Sequence, residues 1–285
     1  RRHPVASYLD GTFLDDDARI SASDRGFLFG DGVYEVVLCI DGRAVAGDRH
    51  WRRLRRNLAF LRIETDTDFE TLGDELAART AEHPYGLVYL QVTRGAAPRA
   101  HPFPDRASAT VYAFTRPFAW PTKATGAAVR HEDLRGRLCH VKTVNLLPNV
   151  LAAQAAKDAG VAEAILIRDG IVTEGSSTNV FGVRDGAVHT HPLDEHILPG
   201  ITRELLLELC AELRIPVVEE PLAASLAGLD ELFVTSTTKP VLGITRVDDE
   251  PIGTGALGEI TGRLQDAFRE RVHAAGFSEA PRRTA

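Results

Sequence analysis

The segment RLCHVKTVNLLPN, residues 137–149, places a lysine among apolar side chains. Lys142 lies between Val141 and Thr143, and only four of the chain's 33 basic residues are lysines. The others are arginines, so a lysine in an apolar run indicates a task that a permanently charged guanidinium does not perform. A buried amine loses its proton more readily and then attacks a carbonyl carbon. Lys142 is therefore a candidate for Schiff-base formation; the alternative is a strand-end lysine whose amine reaches water.

A second candidate is an acid. Glu174 ends an apolar strand and is followed by small polar residues in TEGSSTN, 173–179. A turn capped by serines explains the same pattern. The functional interpretation is a carboxylate directed at a cofactor, because an anionic group holds a proton on the ring nitrogen of a pyridine-type electron sink.

Two further segments suit an anion. In LPGITRE, 198–204, a helix is predicted to begin after the Pro-Gly pair, so the N–H groups of Ile201 and Thr202 and the helix dipole favour negative charge. Simple helix capping is the alternative. The hydroxyls of Ser236 and Thr237 and an arginine from the first helix complete a possible phosphate site. A lysine for an aldehyde, a carboxylate for a ring nitrogen and a phosphate site are together what pyridoxal 5'-phosphate requires.

The elements that must position these residues fall into two groups. In the first group, the residue patterns predict hairpins at 8–14 and 33–46, helices at 48–62 and 68–82, and strands at 86–95 and 109–117. In the second group they predict strands at 162–170, 171–175, 178–186, 187–191 and 231–238, and helices within 197–213 and 258–276. Residues 95–106 carry three prolines and predict an irregular loop of a kind that is often functional.

Runs of hairpins with a few helices predict an α+β fold with two domains. The proline-containing segment RPFAWPTKATG, 116–126, marks the boundary. We therefore expect an N-terminal domain over 1–117, a linker over 118–125 and a C-terminal domain over 126–285.

Composition narrows the classes of function. A net charge of −7 over 285 residues argues against nucleic-acid binding. The basic run at 49–56 fits the flanks of an amphipathic helix whose apolar stripe is Trp51, Leu54, Leu58 and Leu61. Three widely separated cysteines, with no metal-ligand spacing, predict a reducing, cytoplasmic location and no metal. No apolar run reaches membrane-spanning length and no signal-peptide core is recognisable, so no membrane partner is expected.

Five segments closely resemble the class IV aminotransferases, which are the fold-type IV pyridoxal-phosphate enzymes. They follow in order over nearly the whole chain, at 24–37, 141–156, 163–183, 198–206 and 231–238. The resemblance implies two α/β-type domains with the active site between them. It also implies pyridoxal 5'-phosphate as cofactor, with the C-terminal domain binding it.

The subfamily depends on VTRGAAPRAHPFP, 92–104. It is similar to the loop of D-amino-acid aminotransferases, whose Arg-x-His pair binds the substrate α-carboxylate; here the pair is Arg99 and His101. A guanidinium binds a carboxylate through two charge-assisted hydrogen bonds, which suits this role. In that family the pair reaches into the neighbouring subunit's site, which implies a homodimer. The implied activity is transamination between D-amino acids, such as D-alanine or D-glutamate, and 2-oxo acids, such as pyruvate or 2-oxoglutarate.

The same resemblance implies roles for individual residues. Lys142 is the catalytic, cofactor-bearing lysine, and Tyr34 lies on the substrate-carboxylate side with Arg99 and His101. The other implied cofactor-binding residues are Arg53, Glu174, Ser177, Leu198, Ile201, Thr202, Ser236 and Thr237.

Two sites depart from the family pattern, and several other functions stay open. Gly136 replaces a bulky aromatic residue and Lys239-Pro240 replaces small or acidic residues, so the substrate pocket is expected to differ and to admit (R)-amines as a side activity. The alternatives are an (R)-selective amine or branched-chain L-amino-acid aminotransferase, an aminodeoxychorismate lyase and a cofactor-binding protein without turnover.

Overall fold

A computed structural model describes residues 6–14, 18–122 and 124–274. The chain divides into two compact units: one contains the chain up to Trp120 with Val141–Asn145, and the other contains Pro121–His140 and Leu146–Ala274. The segment that carries Lys142 thus belongs to the first unit, although the predicted C-terminal domain, 126–285, includes it. Lys123 of the predicted linker, the first five residues and the end of the predicted last helix lie outside the described residues.

The first unit is a six-stranded antiparallel sheet with three helices. Its strands are β1 (Ala6–Leu9), β2 (Thr12–Leu14), β3 (Gly32–Ile40), β4 (Arg43–Ala44), β5 (Tyr85–Thr93) and β6 (Thr110–Pro117), and its helices are α1 (Arg25–Phe29), α2 (Gly47–Leu61) and α3 (Phe69–Ala78). The strand order is β2-β1-β6-β5-β3-β4. Both predicted hairpins are confirmed, since β1 pairs with β2 and β3 with β4 across Asp-Gly turns.

The core of this unit lies between the sheet and the helices α2 and α3. Trp51, Leu54 and Leu58 of α2 are buried there and Leu61 is partly buried, so the predicted apolar stripe is confirmed. Helix α3 ends at Ala78, four residues before the predicted end. The chain continues through turns to Pro84, whose ring disfavours helical backbone in the residue before it.

The second unit is built on a nine-stranded mixed sheet. Its strands are β7 (Thr125–Glu132), β8 (Glu163–Arg168), β9 (Ile171–Gly175), β10 (Asn179–Arg184), β11 (Ala187–Thr190), β12 (Val217–Glu219), β13 (Glu231–Thr235), β14 (Leu242–Val247) and β15 (Glu250–Pro251). The order is β12-β11-β10-β13-β14-β7-β8-β9, with β15 paired to β14. Its helices are α4 (Leu147–Asp158), α5 (Ile201–Glu212) and α6 (Glu259–His273). Each unit combines sheet and helix, as the predicted α+β class requires.

Helix α4 is not among the elements that the sequence patterns predict. Pro148 occupies its first turn, where a missing N–H group costs nothing. The helix buries only a narrow stripe, Ala152 and Ala156, against Ala164 and Leu166 of β8. Such a stripe of small residues gives little hydrophobic periodicity, which is why the sequence pattern does not reveal the helix. Within the described residues, none of the helices combines the length and apolar character needed to cross a bilayer.

Candidate active site

Lys142 lies in a short extended segment, 141–145, which pairs with the beginning of β3. The Tyr34 N–H donates to the Lys142 carbonyl oxygen at 3.0 Å, and the Val144 N–H donates to the Gly32 carbonyl oxygen at 3.0 Å. Outside these bonds the segment is not part of a regular strand. The backbone of Lys142 is therefore held by the sheet, while its side chain is half-buried.

Glycine at position 30 permits this close pairing. Gly30 ends α1 in the left-handed region, with φ of +69°, which a residue with a Cβ adopts at a cost. A Cβ at this position would also come within 2.9 Å of the Asn145 Cβ atom. The turn before β3 thus brings the chain directly against the end of the Lys142 segment.

The Lys142 amine lies on an aromatic surface. Its Nζ atom is 4.2 Å from the ring centroid of Tyr34, whose ring stacks on Tyr89 at 5.6 Å. The Tyr89 hydroxyl donates to the Gln91 Oε1 atom at 2.6 Å, and burial raises the pKa of Tyr89. The amine therefore has a largely apolar face on one side, held in place by stacked rings.

A buried ion-pair network fixes Arg53, the predicted phosphate ligand. Both oxygens of Glu35, which is completely buried, accept hydrogen bonds of 2.7 Å from the Arg53 guanidinium. The His50 Nδ1 atom lies 2.7 Å from the Glu35 Oε2 atom. Burial opposes ionisation of Glu35, but Arg53 outweighs it and lowers the pKa of the carboxyl to about 2. The guanidinium is thus oriented bidentately by a permanent anion.

The predicted carboxylate-binding pair, Arg99 and His101, lies on the exposed loop between β5 and β6. The buried guanidinium of Arg25 donates to the Ala100 carbonyl oxygen at 2.6 Å and to the His101 carbonyl oxygen at 3.3 Å. The Arg99 guanidinium carbon lies 5.2 Å from the ring centroid of Phe29, and the His101 ring centroid lies 5.6 Å from it. The loop is therefore tied down through its backbone, while both side chains are presented at the surface of the first unit.

In the second unit, the buried carboxylate of Glu174 is surrounded by donors. Its Oε2 atom accepts from the Leu198 N–H at 2.9 Å and from the Asn179 side-chain amide at 3.1 Å, and its Oε1 atom accepts from the Arg135 guanidinium. Burial raises the pKa of Glu174 to about 7, an effect that Arg135 and the Leu198 N–H oppose. The carboxylate is thus poised to ionise fully when a further cationic or N–H donor approaches.

Arg135 is a site residue that the sequence analysis missed. Its guanidinium donates to Asp133 through Nε and Nη2, each at 2.8 Å, as well as to Glu174. Arg168 adds a second cation 3.1 Å from the Asp133 Oδ2 atom. The nearby ions lower the pKa of Asp133 despite its burial and raise the pKa of Arg135. The only local signal was an acid and a base two residues apart after a strand, a pattern equally common on solvated surfaces.

Strand pairing brings the serine-rich turn and the predicted hydroxyls together. Asn179, the first residue of β10, pairs with Thr235, the last residue of β13. Ser177, which precedes β10, and Ser236 and Thr237, which follow β13, therefore lie at the same end of the sheet. The hydroxyl of Thr235 is buried and has no hydrogen-bond partner among the described residues, which leaves one donor available to a ligand here.

Helix α5 begins at the same place. Its N-cap residue, Gly200, supplies no side-chain hydrogen bond, and the helix itself provides no acceptor for the N–H groups of Ile201 and Thr202. A Cβ at Gly200 would lie 2.1 Å from the Asn179 Oδ1 atom, so glycine is required for the helix start to approach this closely. Asn179 also donates to the Leu198 carbonyl oxygen at 2.9 Å. The helix terminus, the hydroxyls and Glu174 are thus gathered around one asparagine.

The two positions that depart from the family pattern have different surroundings. Gly136 is exposed, and a Cβ there would meet no other atom within 4 Å. The Lys239 ammonium does not extend into open space; it lies 3.0 Å from the Glu163 Oε2 atom. Among the described residues, no cluster of three or more His, Cys, Asp or Glu side chains is placed to hold a metal ion.

Comparison with known proteins identifies the family of this chain. The family model for amino-transferase class IV matches residues 32–247. The chain belongs to the class IV aminotransferase family. It is 36% identical to a D-alanine aminotransferase of Staphylococcus epidermidis, over 93% of this chain and 97% of that enzyme. It is 38% identical to a D-alanine aminotransferase of Bacillus licheniformis, over 90% of this chain and 93% of that enzyme.

The structural comparison supports the fold. The branched-chain amino acid aminotransferase of Escherichia coli superposes with a TM-score of 0.87 at 24% identity, over 99% of this chain and 98% of that chain. Another branched-chain amino acid aminotransferase of the same fold was solved with pyridoxamine 5'-phosphate. The fold-type IV architecture predicted from the sequence motifs is therefore confirmed, and this class IV protein is an aminotransferase. The matched region includes Lys142, Glu174 and the start of α5.

Proposed function

We propose that this class IV aminotransferase transfers amino groups between D-amino acids and 2-oxo acids. The observation that carries the proposal is the Arg99–His101 loop, whose guanidinium and imidazole are exposed while their backbone is held by Arg25. A rigid loop that presents a guanidinium suits bidentate binding of an α-carboxylate. The relatives named D-alanine aminotransferase support the same substrate class.

We propose pyridoxal 5'-phosphate as the cofactor, and the residues present fit it. The uncapped start of α5, the unpartnered Thr235 hydroxyl and the hydroxyls beside it suit a phosphate group. The buried carboxylate of Glu174, held by the Asn179 amide and the Leu198 N–H, suits a protonated ring nitrogen, whose positive charge would favour the ionised carboxyl. The residues proposed to hold the cofactor are Lys142, Arg53, Glu174, Ser177, Leu198, Ile201, Thr202, Ser236 and Thr237.

When bound, the cofactor supplies an aldehyde carbon for imine formation and a ring that accepts an electron pair. The Lys142 Nζ atom is proposed to take the proton from the substrate Cα and to hold it until it is returned. Glu174 holds the proton at the ring nitrogen, and Asn179 and the Leu198 N–H orient that carboxylate. Arg53, itself oriented by Glu35, binds phosphate oxygens.

Substrate orientation is proposed to depend on Tyr34, Arg99 and His101. One lysine serves one face of the ring, so the end of the site that binds the carboxylate decides which enantiomer of the substrate presents its Cα hydrogen to the base. Because Arg99 and His101 are exposed on a single chain, we propose that they serve the site of a second copy in a homodimer. The domain boundaries at 117 and 126 and a cytoplasmic location remain predictions.

The proposal is tested by a half-reaction with the cofactor-loaded enzyme. Mixing with D-alanine is expected to replace the absorbance of the lysine-bound cofactor by that of pyridoxamine phosphate, whereas L-alanine leaves the spectrum unchanged. Stopped-flow absorbance measures both. Conversion by L-alanine and not by D-alanine would instead show specificity for L-amino acids and would contradict the D-amino-acid proposal.

Arg99 separates the D-amino-acid proposal from an (R)-amine aminotransferase. The substitution Arg99→Met is expected to raise KM for D-alanine by about 30- to 150-fold, because a charge-assisted pair contributes about 2–3 kcal/mol. Activity towards 1-phenylethylamine, which has no carboxylate, is expected to stay within about twofold on the same grounds. The matched control is Arg106→Met on the same exposed loop. Equal losses with both substrates would contradict a carboxylate-binding role.

A further inference from the structure

Glu163 is a buried carboxylate outside the set of residues assigned to the cofactor. It is the first residue of β8, and its Oε1 atom accepts from the N–H groups of Ala164 and Ser176, each at 3.0 Å, and from the Ser176 hydroxyl. Its Oε2 atom accepts from the Thr178 hydroxyl at 3.1 Å. One side chain thus holds the backbone and both flanking hydroxyls of the turn that carries Ser177.

The positive partner of Glu163 comes from a different loop. The Lys239 Nζ atom donates to the Glu163 Oε2 atom at 3.0 Å and to the Ala162 carbonyl oxygen at 2.8 Å. The loop of Lys239 is closed on itself, since the Ser236 N–H donates to the Lys239 carbonyl oxygen at 2.8 Å and the Lys239 N–H donates to the Ser236 hydroxyl at 3.1 Å. The ammonium therefore ties the loop 236–239 to the carboxylate that already holds the serine turn.

The two loops joined in this way both carry hydroxyls at the end of the sheet where the phosphate is proposed to bind. Ser177 lies between the two residues whose hydroxyls Glu163 holds, and Thr237 lies between Ser236 and Lys239. Neither loop is a regular strand or helix, so strand pairing alone does not fix their separation. The Glu163–Lys239 contact connects the serine turn directly to the loop 236–239.

We propose that the Glu163–Lys239 ion pair is a positioning device that fixes the spacing of the two phosphate-binding loops and so sets how tightly the cofactor is retained. This inference rests on the proposed function, because it concerns the phosphate of pyridoxal 5'-phosphate. Lys239 is a positioning residue and takes no part in the proton transfers. Its ammonium also compensates the charge of Glu163, which would otherwise be a buried carboxylate without a cationic partner.

The test compares two ligands that differ only in the phosphate group. Apoprotein of the wild type and of Lys239→Met is titrated with pyridoxal 5'-phosphate and with pyridoxal, and the absorbance of the lysine-bound form is recorded. Lys239→Met is expected to weaken pyridoxal 5'-phosphate binding by about tenfold or more, equivalent to about 1.4 kcal/mol, and to leave pyridoxal binding within about twofold. The rate constant of the D-alanine half-reaction in fully loaded protein is expected to stay unchanged.

The matched control is Lys157→Met, which removes an exposed lysine of α4. The conservative variant Lys239→Arg is expected to keep most of the affinity for pyridoxal 5'-phosphate, because it keeps the positive charge. If Lys239→Met does not fold, the double variant Glu163→Gln/Lys239→Met, which removes both charges, is measured with the same expectation. Unchanged binding of pyridoxal 5'-phosphate, or equal weakening of both ligands, would overturn the proposal. Failure of the proposed cofactor site is recognised separately, since the wild-type protein would then bind neither ligand at Lys142.

Discussion

Replacing Lys142 with alanine is expected to lower the rate constant of the D-alanine half-reaction by about 10,000-fold, because general acid–base catalysis contributes up to about that factor. The loss has two sources. The variant has no amine to bond the cofactor, and no base to move the substrate Cα proton. Stopped-flow absorbance of protein saturated with pyridoxal 5'-phosphate measures the rate constant.

The control for this variant is Lys157→Ala, another of the chain's four lysines, which is exposed on α4. It is expected to react like the wild type. Adding methylamine to Lys142→Ala is expected to restore part of the rate, since a small free amine can take the Cα proton although it is not bonded to the protein chain. A half-reaction of Lys142→Ala within tenfold of the wild type would show that another group removes the proton, and would remove the basis of the mechanism.

The second large effect is expected at Glu174. The substitution Glu174→Gln keeps the shape of the side chain but removes the anion that holds a proton on the ring nitrogen. We expect the half-reaction to slow by about 100- to 1,000-fold, the usual loss when one preorganised electrostatic partner is removed. Glu132→Gln, an exposed residue at the end of β7, is the control. An unchanged rate would mean that the ring nitrogen has a different partner.

The same variant tests the electrostatics of Glu174 in the apoprotein. Its pKa is about 7 in the folded chain against an ordinary value of 4.5, so the folded state holds more protons between these pH values. In this interval the folded state binds more protons than the unfolded state. The contribution of Glu174 to the free energy of unfolding therefore falls as pH rises from about 4.5 to about 7. The melting temperature of the wild type minus that of Glu174→Gln is therefore expected to decrease over this interval and to level off above it. A difference that increases with pH would mean that Arg135 keeps the carboxylate ionised.

The candidate site residues could be proposed from the sequence because they lie in contiguous segments. The lysine in an apolar run, the acid before a serine-rich turn and the Pro-Gly helix start each occupy fewer than about ten residues, so local patterns and a family resemblance reveal them. The hairpins at Asp-Gly turns and the apolar stripe of α2 were predictable for the same reason, since turn chemistry and helical period are local properties.

Some local structure was not predictable even so. Helix α4 buries two alanines, and that stripe is too small to produce a clear period. The segment 141–145 resembles a strand in composition, but only two backbone bonds connect it to β3. Its position depends on a turn ending at Gly30, more than 100 residues earlier in the chain, and no periodicity records such a pairing.

The sequence by itself therefore determined the family and the α+β class, and it marked Lys142 and Glu174 as the lysine and the acid proposed to carry the chemistry. Only the tertiary structure decided which charges surround them. Arg135 meets Glu174 across 39 residues and Lys239 meets Glu163 across 76, and both contacts depend on the order and register of strands in the nine-stranded sheet. Burial then decides the pKa of Glu174, because the desolvation of a carboxylate depends on what the whole fold packs around it.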